Sequence, residues 1–180
     1  MKKYGVGCSA LALALMVASV SPAQAQEAGT VGLVMMSGTS VGVSIHASDS
    51  VAVRPSAAFA RLTSDNGGLA DGKRTATGWA PGINVLCYVK SWDATRLYVS
   101  PQWTYSHTTS SDDGANEAKA TGHLLAAMLG AQHNLGGRFA VFGEVGLGRE
   151  TSKNTGLGGA IGTKATTWST RSTVGGILFF

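Results

Sequence analysis

The strongest constraint on this chain is a two-residue alternation of apolar and polar or small side chains, which recurs in eight segments. Successive side chains of a β-strand point to opposite faces, so this alternation predicts strands with one apolar face. No segment shows a sustained helical period, and none approaches the about 20 apolar residues of a membrane-spanning helix. The predicted strands are Thr30–Met36, Ser40–His46, Val51–Leu62, Gly78–Lys90, Thr95–Ser106, Thr121–His133, Arg138–Arg149 and Thr167–Phe180.

The connections between these segments alternate in length. Three short turns alternate with three long, polar, Gly-rich connections, and the short connection Ser37–Thr39 breaks the pattern. This alternation is typical of antiparallel up-and-down transmembrane barrels. The sequence therefore predicts an all-β, eight-stranded antiparallel up-and-down transmembrane β-barrel. The predicted short turns are Ala47–Ser50, Ser91–Ala94 and Asn134–Gly137, and the long loops are Thr63–Thr77, His107–Ala120 and Glu150–Thr166.

The N-terminal residues have the pattern of a secretory signal peptide. A basic stretch, Met1–Tyr4, precedes an apolar stretch, Ala10–Val20, and a small-residue cleavage site, Ala23–Ala25. We expect residues 1–25 to be cleaved and residues 26–180 to form the barrel domain. The remaining part has Cys87 as its single cysteine, so no internal disulfide is expected.

Composition and length narrow the class further. Charged residues make up 13% of the chain, about half of the roughly 25% of soluble domains. Eight strands of about 10 residues need about 80 residues, whereas a sixteen-stranded porin needs about 160. Residues 26–180 are too few for the larger barrel. A wide diffusion pore is therefore not expected, and an eight-stranded lumen is narrow enough for side chains to fill.

Aromatic residues lie at both ends of the predicted apolar faces. Such residues form the girdles of a membrane barrel at the two membrane–water interfaces. The alternative is that they form the core of a β-sandwich. The alternation of side chains along a strand does not tell which face meets lipid. A soluble periplasmic lipocalin-like ligand carrier is therefore a further alternative. The predicted girdle consists of Trp79, Trp103, Tyr105 and Trp168 near the long loops, and Phe139 and Phe180 near the short turns.

Three prolines fall within neighbouring predicted strands, namely Pro55, Pro81 and Pro101. Proline lacks the backbone N–H that a strand ladder uses, and it is normally found at sheet edges or bulges. A closed barrel has no edge, so we expect bulges or locally lost hydrogen bonds at these positions.

Three charged residues, Arg54, Glu144 and Arg171, have inward parity on the third, seventh and eighth strands. Isolated charges in a narrow lumen are costly, so pairing through Glu144 is expected. We expect a plug of ion pairs and hydrogen bonds that also includes Asn84, Gln102 and Gln132. The alternative is a gate in which rearranged pairing opens a thin ion path.

A catalytic reading rests on four scattered histidines and nearby serines. Acyl transfer needs a nucleophile, a base and an orienting group within mutual reach. Ser106 and His107 are strand neighbours, so their side chains point to opposite faces. We predict no catalytic residues, no metal site and no cofactor, and the chain is not expected to be an enzyme. The alternative of a barrel that modifies lipid A requires a Ser/His cluster at the rim, from His46, His107, His123 and His133.

Basic side chains at the long-loop end could pair with lipopolysaccharide phosphates. Arg61 and Arg149 are the strongest candidates, because outward parity near the interface directs them at headgroups. The further candidates are Lys73, Arg74 and Lys119, and a solvated loop of mixed charge is the competing interpretation. Positive and negative charges nearly balance in the loops, so no nucleic-acid partner is expected.

Three stretches resemble the small eight-stranded outer-membrane β-barrel family, which includes the OmpA transmembrane domain, OmpX-like and opacity-type porin-like proteins. They are Ser172-Thr-Val-Gly-Gly-Ile-Leu-Phe-Phe180, Val53-Arg-Pro-Ser56 and Phe142-Gly-Glu-Val-Gly-Leu-Gly148. The resemblance implies a location in the Gram-negative outer membrane and recognition of Leu178 and Phe180 by the barrel-assembly machinery. It implies a structural or surface-interaction role, in envelope integrity, lipopolysaccharide contact or adhesion to a host or surface partner, and no shared catalytic activity.

Overall fold

Eight β-strands account for most of the backbone that the structure describes. The computed structural model describes residues 28–65, 73–112, 116–155 and 162–180, and the predicted signal peptide lies outside this part. Within these ranges no helix is long and apolar enough to span a bilayer. The strands are β1 Val31–Met36, β2 Ser40–Ser48, β3 Val51–Asp65, β4 Lys73–Trp92, β5 Thr95–Asp112, β6 Asn116–Gly136, β7 Phe139–Thr155 and β8 Thr163–Phe179.

The strands form one closed antiparallel ring. Each strand pairs with the next along the chain, and β1 pairs with β8. This confirms the predicted all-β, eight-stranded up-and-down architecture. The seam between β1 and β8 joins Gly32–Met36 to Gly175–Phe179. A ring of this kind leaves no strand edge unpaired at the level of the seam.

Strands β3 to β8 extend well beyond the predicted bounds at their long-loop ends. Thr63 pairs with Thr75, Thr109 with Lys119, and Thr151 with Thr166. The long loops predicted over Thr63–Thr77, His107–Ala120 and Glu150–Thr166 are therefore largely strand. Apolar alternation fades in these segments because neither face is packed in a core. The threonines still favour extended backbone through their branched Cβ atoms.

The prolines do not produce the expected bulges. Around Pro55, the pairs Gly42–Ser56 and Ile45–Val53 keep one register, and the pairing between them is interrupted. The β4–β5 ladder shows the same interruption without a register shift beside Pro81 and Pro101. Each missing N–H is thus accommodated by a local loss of pairing, in agreement with the expectation of locally lost hydrogen bonds. Register shifts instead occur near the short turns, at 46–48, 88–90 and 134–136.

The ring is apolar outside and partly polar inside. On β7 the outward side chains of Val145 and Leu147 are 58% and 59% exposed, whereas Glu144 between Gly143 and Val145 is buried. On β6 the outward Leu129 is exposed and the inward Gln132 is fully buried. Soluble barrels place apolar side chains inside and polar ones outside. This distribution is the reverse.

The interior near the short turns is tightly filled. One apolar cluster joins β1, β7 and β8, and a second joins β3, β4 and β5. Two inward glycines make room for large rings: a Cβ at Gly130 would lie 2.3 Å from Cζ of Tyr98, and one at Gly175 would lie 2.5 Å from Cζ of Phe142. The clusters consist of Val34, Ala140, Phe142, Ile177 and Phe179, and of Ala52, Leu86 and Tyr98.

Candidate functional site

A buried ion pair crosses the middle of the lumen. Nη1 of Arg54 lies 2.8 Å from Oε1 of Glu144, and the two side chains are 0% and 1% exposed. The hydroxyl of Tyr98 donates a second hydrogen bond of 2.7 Å to the same carboxylate oxygen. Arg54 is on β3 and Glu144 on β7, four strands apart in either direction around the ring. The pair therefore spans the diameter of the lumen.

The local sequence explains how these three side chains meet. Each lies at an inward position of its strand, and the guanidinium of Arg54 lies 4.2 Å from the ring centroid of Phe142. Phe142 is the next inward residue to Glu144, so the arginine is held by a carboxylate and an aromatic face together. Gly130 leaves the space that the ring of Tyr98 occupies. Charge pairing, cation–π contact and a missing Cβ together fix the position of the pair.

A second polar layer lies nearer the short turns. The hydroxyl of Tyr88 donates to Oε1 of Gln132 at 3.0 Å and lies 3.3 Å from Nε2 of His46. The guanidinium of Arg96 lies over the ring of Tyr88 at 3.7 Å, and its Nη2 donates to the carbonyl oxygen of Asp49 in the β2–β3 turn. Arg96 thus links the layer to a short turn.

The two layers close this half of the lumen. Burying an ion costs several kcal/mol, and the cost is offset only by close opposite charge and further hydrogen bonds. Glu144 has both, from Arg54 and Tyr98. The arrangement can hold the walls of the barrel together across its interior.

The long-loop half of the lumen is different. Small inward residues line it, and the half-exposed side chains of Arg171 and Glu150 approach each other to 3.8 Å. Arg171 was expected to pair through Glu144. It lies instead beside Gly146 and Gly148, nearer the long loops, because β8 is staggered against β7. The small lining residues include Ser56, Ala58, Gly82, Ala126, Gly146 and Gly148.

The remaining predicted lumen residues are divided between these regions. Asn84 is buried and lies next to Arg54 in the β3–β4 register. Gln102 is half-buried and donates to Oγ1 of Thr104 at 3.3 Å, on its own strand. Gln132 belongs to the second layer, where it also donates to Oδ1 of Asn134 at 3.2 Å.

Sequence reasoning missed four lumen side chains, namely His46, Tyr88, Arg96 and Tyr98. Parity was the available signal, because Arg96 and Tyr98 alternate on β5 with outward residues and share a face with Gln102. Tyr88 and His46 lie at strand ends, where register shifts make the parity ambiguous. His46 is buried in the lumen and is 1% exposed.

The predicted girdle residues lie on the outer surface. Trp79 contacts Tyr105 and His107, with ring centroids 5.4 and 5.8 Å away, and Trp103 stacks on His123 at 6.2 Å. These rings and Trp168 form a belt at the long-loop end. Phe139 and Phe180 are exposed at the short-turn end. There the ammonium group of Lys90 lies 4.9 Å from the ring centroid of Trp92. Trp92 falls within the predicted turn Ser91–Ala94, and in the structure it is the last residue of β4.

The basic candidates do not share one environment. Arg61 and Arg149 are exposed on the outer face. Nζ of Lys119, in contrast, lies 3.4 Å from Oε1 of Glu117. Arg74 pairs in register with Ser64 and Asp112 on the lumen-side face, so it does not point outward as a lipid-facing residue would. Lys73 opens β4 opposite Asp65, and its side chain lies outside the described part.

Ser106 and His107, the neighbouring serine and histidine considered for catalysis, do not form a catalytic cluster among the described residues. Ser106 has inward register and His107 outward register on β5, and Nε2 of His107 lies 3.3 Å from the hydroxyl of Thr109. Within residues 28–65, 73–112, 116–155 and 162–180, no group of three or more His, Cys, Asp and Glu side chains could hold a metal ion.

The C-terminal residues close the ring. Leu178 faces outward on β8, and Phe180 is 74% exposed just beyond the strand. The backbone N–H of Phe180 donates to the carbonyl oxygen of Val31 at 3.0 Å. The chain end therefore lies against the first strand, with its aromatic ring on the outer surface.

No protein-family model and no curated protein matches this chain. Solved structures that are similar to it include the following two. CarO2 of Acinetobacter baumannii is 14% identical, with 84% of this chain and 97% of that chain covered and a TM-score of 0.37. CarO of the same organism is 13% identical over the same shares, with a TM-score of 0.39.

Proposed function

We propose that this chain is an integral outer-membrane β-barrel protein with a structural and surface-contact role in the cell envelope. One observation carries the proposal: the outer wall exposes large apolar side chains while Arg54, Glu144 and Gln132 are buried inside. Exposed apolar side chains over a whole barrel wall are stable in lipid and are an aggregation hazard in water. The proposed orientation places the chain ends and short turns in the periplasm.

The height of the apolar band supports this proposal. Along β7, the outward residues run from Phe139 to Arg149, ten residues later. At a rise of about 3.4 Å per residue and a tilt of about 40°, that distance corresponds to about 26 Å along the barrel axis. The apolar band of outer-membrane barrels is about 25 Å tall. Aromatic rings lie near both of its limits, at Phe139 and at Trp168 opposite Arg149.

Membrane extraction and gel mobility test this proposal. The wild-type protein is expected in the outer-membrane fraction of a density gradient, resistant to carbonate extraction and released by detergent. Unheated samples should migrate faster than boiled ones, because a closed barrel stays compact in mild detergent. A protein that fractionates with the soluble periplasm would establish the lipocalin-like alternative instead.

The closed lumen supports a structural role over a transport role. Side chains around Arg54, Tyr98 and Glu144 fill the cross-section at mid-height, and a second layer lies below them. Planar-bilayer recordings should show no stable conductance steps for the wild type or for Glu144→Gln, which keeps the side-chain volume. Regular voltage-independent steps in either protein would favour the gate.

The envelope role brings three partners into the proposal: outer-membrane lipids, lipopolysaccharide and the barrel-assembly machinery. The outward Leu178 and Phe180 support recognition of the last strand by that machinery. Replacing Phe180 with Ala should lower the amount of assembled protein in the outer membrane, whereas Phe139→Ala, at the same end of the barrel, should change it less. Adhesion through the long hairpins is the corresponding proposal for surface contact.

A further inference from the structure

The outer wall carries a lipid-facing groove on one side. A groove of about 670 Å³ crosses β4 to β8 below the aromatic belt. Pro101 and Ala127, which are cross-strand partners, belong to its floor. Larger side chains at the next level toward the loops form its upper wall, namely Trp103, Leu125, Arg149 and Trp168. The volume lies in the range of about 300–1,000 Å³ that small ligands occupy.

A row of cations continues upward from this groove. The outward side chain of Arg149 belongs to the lining, and Lys153 lies four residues further along β7. Lys164 is the direct cross-strand partner of Lys153. All three are exposed, and the outward faces of β7 and β8 carry no carboxylate over Phe139–Thr155 and Thr163–Phe179. Thr151 and Thr166, paired between Arg149 and the lysines, add hydroxyl groups.

The lysine pair is unfavourable without a counter-ion. Like charges directly opposite each other on neighbouring strands repel. Lys119, the next outward cation on β6, has Glu117 at 3.4 Å, whereas Lys153 and Lys164 form no ion pair with any described residue. A phosphate between them would remove the repulsion and form charge-assisted hydrogen bonds. The feature therefore points to an anionic ligand.

We propose that this face binds one phosphorylated acyl lipid of the outer leaflet, of the lipopolysaccharide class. An acyl chain lies in the groove over Pro101 and Ala127, and phosphate contacts Arg149, Lys153 and Lys164. The proposal rests on the outer-membrane function proposed above and adds a defined site to it. The apolar groove suits the acyl chain and the cations suit the phosphate of one lipid, because the cations begin at the height along the barrel axis where the groove ends. Four residues of β7 span about 10 Å along the axis, which suits a headgroup with more than one phosphate.

Binding of bis-phosphorylated lipid A to the full mature barrel in detergent tests the headgroup half of the site. Native mass spectrometry gives the bound fraction at each lipid concentration. The double variant Lys153→Gln/Lys164→Gln should raise the Kd at least about tenfold. The matched control, Lys90→Gln/Arg138→Gln, removes two charges at the short-turn end and should leave the Kd unchanged. Equal affinity of the two double variants would overturn the site.

The groove half needs its own pair of variants. Ala127→Trp fills the floor of the groove and should weaken lipid A binding by a similar factor. Val41→Trp adds the same ring to the outer face of β2, two strands away from the nearest strand that lines the groove, and should not. Inorganic phosphate alone should raise the melting temperature of the wild type less than lipid A does. An equal rise, or equal binding by the two tryptophan variants, would overturn the groove.

Outer-membrane fractionation and heat-dependent gel mobility accompany every variant. A variant that retains both and still loses lipid binding supports the site. If all variants bind lipid A equally and remain in the outer membrane, the lipid site fails and the outer-membrane function stands. A wild-type protein found in the soluble periplasm overturns the outer-membrane function, and the lipid site with it.

Discussion

The two halves of the lumen hold their charges in opposite ways. In the short-turn half, Arg54 and Glu144 are fully buried, 2.8 Å apart, and enclosed by aromatic rings. In the long-loop half, Arg171 and Glu150 lie 3.8 Å apart with 41% and 44% of their side chains exposed. Both pairs are opposite charges on barrel walls, yet the first is shielded from solvent, whereas the second is screened by it. An ion pair thus has a large effect on the free energy of unfolding in the short-turn half and a small effect in the long-loop half.

Removal of Glu144 should produce the largest change in the free energy of unfolding. In Glu144→Ala the buried guanidinium of Arg54 loses its carboxylate, and breaking a buried pair on one side costs about 3–5 kcal/mol. Urea unfolding of the barrel in lipid vesicles measures the free energy of unfolding. The double variant Arg54→Met/Glu144→Leu should recover much of the loss, because it removes both charges. No recovery would show that packing, and not the unpaired charge, is responsible.

Removal of one hydroxyl should have the next largest effect. Tyr98→Phe keeps the ring over Gly130 but removes the 2.7 Å hydrogen bond to Glu144. Hydrogen bonds to a charged group contribute about 1.5–3 kcal/mol, so the free energy of unfolding should fall by that amount. Tyr105→Phe, on the outer surface, is the control and should change it little. An equal loss in the two variants would remove the distinction between lumen and exterior.

A third prediction tests how tightly the short-turn half is packed. Gly130→Ala places a Cβ about 2.3 Å from the Tyr98 ring, which must then move. Overpacking of this kind costs about 1–3 kcal/mol. Gly143→Ala is matched, because Gly143 has no atom within 4 Å of the new Cβ. Thermal unfolding in detergent should separate the two variants, and coincident transitions would contradict the packed interior.

The smallest effect is expected in the long-loop half. Glu150→Gln removes the charge facing Arg171, and exposed ion pairs contribute about 0–1 kcal/mol. The change in the free energy of unfolding should shrink further as salt is raised, because salt screens exposed charges. A salt-independent loss as large as that of Glu144→Ala would mean that this half is closed as well.

The fold was largely predictable because alternation determines faces. The parity of Val145 and Glu144, or of Val99 and Tyr98, follows from the sequence alone, and so does the number of strands. Height along the barrel axis does not follow from parity, because it depends on the stagger that closes the ring. Arg171 therefore had the correct face and the wrong partner.

The strand ends were less predictable for a related reason. Thr63, Thr109 and Thr151 continue their strands into the long hairpins, where neither face has an apolar environment and alternation carries no signal. Arg74 shows the consequence, because it lies in a segment predicted as a loop, where no alternation indicates the face of the side chain. The groove on the outer wall was equally hidden, since it depends on five strands lying side by side.

The seam between β1 and β8 has a consequence for the order of folding. Every other strand pair is a hairpin of chain neighbours, whereas the seam joins Gly32–Met36 to residues more than 130 positions later. Closing so long a loop costs more entropy than forming a local hairpin, so the seam is expected to form last. It is also short, and the cluster of Val34, Phe142, Ile177 and Phe179 lies directly behind it. We therefore expect the final step of assembly to combine apolar packing with backbone pairing, and the barrel to be an open curved sheet until that step.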